Sequence, residues 1–243
     1  MKKTIVPLFV ALIMAGSLVI TANIVSDTAL NIKNKGYVNV KGYARETIKS
    51  DLGIFEAVII SENADLKTCY SGLAEDSRKL SAYITRKFGV NKNELKTRPA
   101  SIQEVYKINE NGYNTDEFVK YVIKQEIRIE SGDVFKISRI SSEIIDVLDE
   151  GIRINIKEPR YIYTGIEGLK VEMIGRATDN ARERAMKIAK EGKFRLGRIA
   201  DVRVGVFQIT PVNSTDVSDY GVNDTGSIIK EIKSVVEIKY FVK

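Results

Sequence analysis

The strongest constraint on the fold is a pair of long β-rich segments joined by a short turn. Leu95–Ile108 and Glu117–Glu130 are both rich in β-branched and aromatic residues. The turn between them contains Asn109, Asn111 and Gly112, residue types that suit the unusual backbone angles of tight turns. Strands joined in this way pair antiparallel, because a parallel pair needs a crossover of roughly a dozen residues or more. The chain is therefore expected to build an antiparallel sheet.

Strand and helix patterns alternate along the rest of the chain. The predicted elements, in chain order, are strands Tyr37–Ala44 and Leu52–Ser61, which should form a hairpin, helix Asp65–Phe88, strands Leu95–Ile108 and Glu117–Glu130, helix Val134–Leu148, strand Ile152–Ile156, helix Ile166–Lys190, and strands Arg198–Thr210 and Ser234–Val242. Gly89 and Gly151 should end the first two helices. The order is β-β-α-β-β-α-β-α-β-β. It predicts an α+β fold of antiparallel sheets covered by helices, preceded by an N-terminal hydrophobic helix, and not a doubly wound parallel sheet.

The last predicted helix carries a stripe of alanines. Ala177, Ala181, Ala185 and Ala189 recur at every fourth position, which places them on one helical face. Small side chains allow a close approach, so this face should lie directly on a sheet. The charged residues lie largely off this stripe and should face water.

The N-terminus is typical of an export signal. Lys2 and Lys3 precede an uncharged, mainly apolar run from Thr4 to Val25, and the first acidic residue is Asp27. Cleavage after Ala22 would release a periplasmic protein. An uncleaved run is long enough, at about 1.5 Å per helical residue, to cross the hydrocarbon core of a membrane.

The positive-inside rule then places the rest of the chain outside the cytoplasm. We expect residues 1–26 to be a signal anchor or signal peptide, residues 27–35 a connector, and residues 36–243 the folded domain. The predicted location is the cell envelope, with residues 4–25 in the inner membrane and the domain facing the periplasm or exterior if the run is retained.

Composition excludes several kinds of site. The chain has no His and a single cysteine, Cys69, so a Ser-His or Cys-His catalytic pair, a zinc site of Cys and His, and an intramolecular disulfide are all impossible. The 38 Lys and Arg residues and 32 Asp and Glu residues are interspersed, so the net charge of +6 forms no basic arm. We expect no nucleic-acid partner, no cofactor and no enzymatic activity. Cys69 has two interpretations, a redox-active thiol or a small buried apolar residue.

An ordered set of segments resembles the SIMPL domain family over about residues 36–243. The set comprises Tyr37–Ala44 running into Lys49–Leu52, the helix with Ala177, Ala181, Arg182, Arg184 and Ala185, and the step Leu196–Ile199 after it. Gly205–Pro211, continuing through Asp216 to Tyr220, resembles a membrane-anchored subgroup. The resemblance implies an exported bacterial protein of paired α+β sub-domains. Self-assembly and tolerance of oxidative stress occur among the members, and no reaction or set of catalytic residues comes with the resemblance.

Two groups of residues are candidate sites. Asp216, Asp219, Asn223 and Asp224 lie in the loop Pro211–Ser227 and offer oxygen ligands for Ca²⁺ or a small molecule. Their irregular spacing does not fit an EF-hand and is equally typical of turn-forming residues. Arg182 and Arg184 could bind a phosphate or carboxylate, contact another subunit, or form solvated ion pairs.

The sequence thus predicts a non-enzymatic envelope protein that self-associates or binds partners, with a role in stress. The alternative is a binder of small ligands or carbohydrates that uses the 211–227 loop. The sequence leaves open the ligand, the number of subunits and the cleavage of the leader.

Overall fold

A computed structural model describes residues 14–26 and 36–243. Residues 14–26 are helical and are named α1. The other elements are β1 (Tyr37–Lys49), β2 (Leu52–Asn63), α2 (Leu66–Phe88), β3 (Leu95–Thr97), β4 (Ser101–Ile108), β5 (Asn114–Ser131), α3 (Val134–Glu143), a 3₁₀ helix (Ile144–Glu150), β6 (Ile154–Ile156), β7 (Arg160–Ile162), α4 (Ile166–Glu191), β8 (Leu196–Val204), β9 (Gln208–Pro211), β10 (Val222–Asn223) and β11 (Ile229–Val242). The fold is α+β, as predicted.

The predicted hydrophobic segment Thr4–Val25 lies only partly within these residues. Its first ten residues, like the connector 27–35, fall outside the described part of the chain. Across residues 14–26 and 36–243, none of the helices has both the length and the apolar character needed to cross a membrane.

The chain divides into two compact units, each assembled from separate segments. The first unit comprises the described residues up to Ala44, together with Glu172–Gly205 and Ser234–Lys243. The second comprises Arg45–Val171 and Val206–Lys233. Strands β1 and β11 and helix α4 therefore contribute residues to both.

The second unit is built on the long antiparallel pair of β2 and β5, which are in register from Gly53 opposite Ser131 to Asn63 opposite Tyr121. Strands β3 and β4 add to the outer side of β5, and β6 and β7 add to that of β2. Helices α2 and α3 cover this sheet with apolar side chains that include Leu80, Ile84 and Ile137. The amino-terminal part of β11 pairs with β9, which in turn pairs with β10.

In the first unit, α4 lies on the sheet through the predicted alanine stripe. Ala177, Ala181, Ala185 and Ala189 are all buried. The helix approaches so closely that a Cβ atom on Gly42 of β1 would overlap the carbonyl oxygen of Ala177. The carboxyl-terminal part of β11 pairs antiparallel with β8, and β1 is also a neighbour of β11.

The predicted hairpin of the first two strands is wrong, because β1 pairs with β11 and β2 with β5. The residues that link β1 to β2 form hydrogen bonds with distant parts of the chain. The Ser50 N–H donates to the carbonyl of Ile228, and the Asp51 N–H donates to that of Ile162. The Asp51 carboxylate accepts hydrogen bonds from the N–H and hydroxyl of Thr164, at 2.7 and 2.8 Å. These hydrogen bonds hold the link where the chain leaves the sheet of β1 and enters the sheet of β2.

Two predicted strands are each interrupted. The segment 95–108 forms β3 and β4, which flank Pro99, a residue without the N–H that a continuous ladder requires. The segment 198–210 forms β8 and β9 with a break at 205–207. At that break the Gly205 N–H donates to the carbonyl of Val235.

The predicted helix Val134–Leu148 is α-helical only to Glu143 and continues as the 3₁₀ helix. A 3₁₀ helix has three residues per turn, so the buried stripe shifts there. Val147 is buried, whereas Leu148, the last residue of the predicted helix, is 46% exposed. The left-handed Gly151 ends the segment, as predicted.

The sheets are antiparallel as predicted except at one edge, where β10 pairs parallel with β9, so one of the two sheets is mixed. Strand β10 lies inside the predicted loop 211–227 and has two residues. The unpredicted β7 has three. Segments this short carry no readable alternation of polar and apolar residues.

Candidate functional site

The predicted ligand residues of the 211–227 loop bind mainly to the loop itself. Asp216 accepts a hydrogen bond from the hydroxyl of Ser214 at 2.8 Å. Oδ1 of Asp224 accepts from the N–H groups of Gly226 and Ser227, at 2.8 and 3.2 Å. These are the local contacts of turn-forming residues. In the part of the chain that the structure describes, no three His, Cys, Asp or Glu side chains come together to hold a metal ion.

Side chains from the neighbouring strands hold this loop in place. The amide of Gln208 on β9 donates to the carbonyl of Ser218 at 2.7 Å and accepts from its N–H at 3.3 Å. The ammonium group of Lys233 on β11 donates to the carbonyl of Ser214 at 2.8 Å. Sequence reasoning missed both residues, because each lies in a strand with no unusual pattern.

Beneath the loop, the second unit contains a cavity of about 140 Å³. It is lined mainly by apolar and aromatic side chains, together with Lys230 and Asp224. The lining residues are Ile48, Tyr161, Ile162, Tyr163, Ile166, Ile209, Asn223, Asp224, Thr225 and Lys230. Two of the four predicted ligand residues, Asn223 and Asp224, are thus brought to this cavity.

Lys230 is the most unusual residue of the cavity because it is only 2% exposed. Its ammonium group donates to the carbonyl of Tyr161 at 2.7 Å and to that of Asp224. Burial lowers the pKa of Lys230, and the nearby charge of Asp224 opposes that shift. The third N–H of the ammonium group has no acceptor among the described residues. Likewise, the buried Oδ2 of Asp224 has no hydrogen-bond donor there.

A wider groove of about 460 Å³ shares Ile166, Ile209 and Asn223 with the cavity. Its rim includes Tyr220, which is 98% exposed. The two spaces together form a candidate ligand site under and beside the loop, with an apolar lining and a few polar groups.

The two predicted interface arginines lie in different surroundings. Arg184 donates to the backbone carbonyl of Lys41 on β1 at 2.8 Å, so its guanidinium group helps to hold α4 on the sheet. Arg182 lines a groove of about 480 Å³ between α4 and β8, together with Met186, Ile199 and Tyr240.

Strand β8 forms the exposed side of that groove. Among the described residues it pairs only with β11, so its outer edge is free. Val202 and Val204 stand opposite Ile238 and Val236, which are buried. Yet Val202 and Val204 are 48% and 49% exposed, because α4 does not cover β8.

The opposite face of β8 is charged. Asp201 and Arg203 form an ion pair at 2.9 Å. They stand opposite Lys239 and Glu237 of β11, respectively. Strand β8 therefore has an apolar row on one face and a balanced set of charges on the other.

Two carboxylates of the second unit, those of Glu56 and Glu62, form ion pairs with nearby cations. Glu56 lies within 3.2 to 3.8 Å of Arg128, Lys157 and Arg160. Glu62 accepts from Lys120 at 2.7 Å, and this hydrogen bond lowers the pKa of Glu62 despite the opposing effect of burial. The lowered pKa favours the ionised form of Glu62, which cannot donate a proton.

The only thiol is buried in the core of the second unit. Cys69 lies on α2, and its thiol group donates to the carbonyl oxygen of Ser61 at 3.3 Å. The interpretation as a small buried residue fits this position.

Comparison with protein families gives one match. The model of a family described as SIMPL, a protein of unknown function (DUF541), matches residues 38–228. This range includes β1 except Tyr37, the ligand-loop residues and all of β8. Comparison with curated proteins found no match.

Proposed function

The chain belongs to the SIMPL family, and on that premise we propose that it is a non-enzymatic protein that acts through its surfaces, chiefly by self-association. The observation that carries this proposal is the free edge of β8. An exposed strand edge with apolar side chains is a template for pairing with another chain. The absence of His from the sequence and the ion pairing of Glu56 and Glu62 support a non-catalytic role.

The test of self-association is the mass distribution of the full-length chain in a non-ionic detergent. Mass photometry over nanomolar concentrations and sedimentation velocity over micromolar concentrations should reveal dimers or larger assemblies that increase with concentration. A strict monomer throughout this range would contradict the proposal.

We also propose that the protein resides in the cell envelope. The two lysines before the apolar run Thr4–Val25 support export, either with the run retained in the inner membrane or with its removal. Fractionation of the producing cells with N-terminal sequencing distinguishes these two outcomes. Recovery of the intact chain from the cytosol would argue against export.

A role in stress predicts that a deletion strain is more sensitive to oxidants than its parent strain.

A second candidate function is the binding of a small hydroxylated molecule under the 211–227 loop. The unused N–H of Lys230 and the unpaired Oδ2 of Asp224 support it. A hydroxyl group of a sugar or polyol can accept a hydrogen bond from the Lys230 ammonium group and donate one to Oδ2 of Asp224. A thermal-shift screen with monosaccharides and glycerol should stabilise the wild type but not a Lys230→Met variant. Equal shifts for both proteins would remove this function.

A further inference from the structure

The backbone of β8 offers a free row of hydrogen-bonding groups. One edge of the strand pairs with β11 from Val204 opposite Val236 to Leu196 opposite Val242. On its other edge, no strand is present among the described residues. Soluble proteins usually protect such edges with proline, bulges or inward-pointing charge, because open edges pair with other chains. The stretch Asp201–Val204 has no proline and stays in regular register with β11.

The side chains of β8 restrict what can occupy this edge. A partner strand must place apolar residues beside Val202 and Val204 on the face that carries α4. On the other face it must place charges that complement Asp201 and Arg203. The strand β8 of a second copy satisfies both requirements, since it carries the same two rows.

The register follows from symmetry and charge. Two copies of one strand that pair antiparallel are related by a two-fold axis. When that axis is perpendicular to the sheet, the apolar face of β8 in one copy adjoins the apolar face in the other, and the charged faces adjoin in the same way. If the axis passes through Asp201, the Asp201 residues of the two copies face each other. If it passes through Arg203, the two Arg203 residues face each other. An axis at Val202 instead sets Asp201 opposite the partner's Arg203, twice over. Opposite charges directly across two strands stabilise the pair, whereas like charges destabilise it.

We propose that two copies of this chain associate by antiparallel pairing of their β8 strands, with the two Val202 residues facing each other on the two-fold axis. The pairing joins the sheets of the two first units into one continuous sheet across the dimer. It brings together the exposed side chains of Val202 and Val204 from both copies. This inference rests on the proposed self-association and specifies the surface and the register.

Engineered disulfides test the register. The native Cys69 is buried, so the unmodified full-length chain serves as a control that should not cross-link. A Val202→Cys chain should form a disulfide-linked dimer under mild oxidation. Chains with Asp201→Cys and chains with Arg203→Cys should cross-link more efficiently when mixed than either does alone. A Lys41→Cys chain, changed on β1, should remain uncross-linked.

The outcomes separate this inference from the proposed function. Assemblies that sediment as dimers but cross-link through Lys41→Cys, or not through Val202→Cys, overturn the β8 pairing and leave self-association standing. A strict monomer overturns both. Dimers that form only when another cellular protein is present also contradict the pairing, because they assign the edge to a different partner.

A charge swap provides an independent test. Asp201→Arg places two arginines opposite each other at two points of the interface and should weaken dimerisation about tenfold. The double variant Asp201→Arg/Arg203→Asp restores opposite charges across the axis and should recover part of the loss. Thermal unfolding of each variant checks that the fold is retained, since both residues also face β11. If the double variant dimerises no better than Asp201→Arg, the proposed register is wrong.

Discussion

At the scale of single residues, Gly42 lies directly against helix α4. The space that a side chain would need there is occupied by the backbone of Ala177 and Ala181. This glycine is required by proximity and not by its backbone angle. Any larger residue at this position must push the helix away from the sheet.

We expect Gly42→Ala to lower the free energy of unfolding by about 1–3 kcal/mol, because the added methyl group overpacks this contact. The matched control is Gly175→Ala on α4, where no atom lies within 4 Å of an added Cβ. That change should raise the stability by up to about 1 kcal/mol, since alanine favours a helix over glycine. Chemical denaturation followed by circular dichroism measures both. Equal stability of the Gly42→Ala variant and the wild type would contradict the close packing.

Glu94 is a carboxylate whose hydrogen bonds outweigh the effect of its burial. Burial raises the pKa of Glu94, but the hydrogen bonds from Ser131, the Asn91 N–H and Lys136 lower it by more, so the pKa is about 2. The ammonium group of Lys136 lies 2.9 Å from the carboxylate. A carboxyl group with a pKa below its unfolded value of 4.5 stabilises the fold wherever it is ionised.

The contribution of Glu94 should be complete above pH 4.5 and should disappear as the pH falls from there towards 2. We expect Glu94→Gln to lower the free energy of unfolding at pH 7 by about 1–3 kcal/mol. The difference from the wild type should shrink as the pH falls through that range. Urea unfolding at pH 7, 5, 4 and 3 measures it. Glu75→Gln, which breaks an exposed ion pair with Lys79, is the control and should change little. A pH-independent loss for Glu94→Gln would show that ionisation is not its source.

At the scale of elements, the 211–227 loop is held by strands β9 and β11 and not only by its own turns. Replacing the Gln208 amide by Ala removes two hydrogen bonds to Ser218. The Gln208→Ala variant should be cleaved in the loop several-fold faster than the wild type in limited proteolysis, because local opening becomes easier. Val217→Ala, changed at an exposed position of the same loop, is the control. Equal cleavage of all three proteins would mean that Gln208 does not hold the loop.

The elements themselves were predictable where their pattern is long. Helix α4, helix α2 with its Gly89 cap, and the antiparallel pair of β4 and β5 lie where the apolar spacing and turn residues predict them. The pairing partners of β1 and β2 could not be predicted, because strands that pair across a long stretch of sequence leave no pattern in the local sequence. The link at Ser50 and Asp51 looks like a hairpin turn in the sequence, yet its hydrogen bonds go to Ile228, Ile162 and Thr164.

The candidate site was predictable only in part, for a related reason. The loop with Asp224 could be selected for its oxygen-rich composition. Lys230 could not, because a lysine within a strand gives no sign that it will be buried. The free edge of β8 was hidden by the prediction of one continuous strand over 198–210. Only the break at 205–207 separates the exposed β8 from β9.

At the scale of the whole molecule, we expect the function of the protein to depend on the association of its copies. The first unit offers the β8 edge, and the second offers the cavity under the loop. The proposed assembly through β8 would leave the lining of that cavity unchanged in composition, since no residue of β8 contributes to it. The Asp201→Arg variant should therefore respond to monosaccharides in a thermal-shift assay as the wild type does. A different response would show that assembly and the cavity are linked.

Backbone amide hydrogen exchange of the full-length chain at low and high protein concentration reports directly on the pairing of β8. Pairing predicts that the outward amides of residues 198–204 exchange more slowly as concentration rises, and that Asp201→Arg removes this protection. Exchange in β8 that is fast and independent of concentration, while the protein remains folded, would contradict the account.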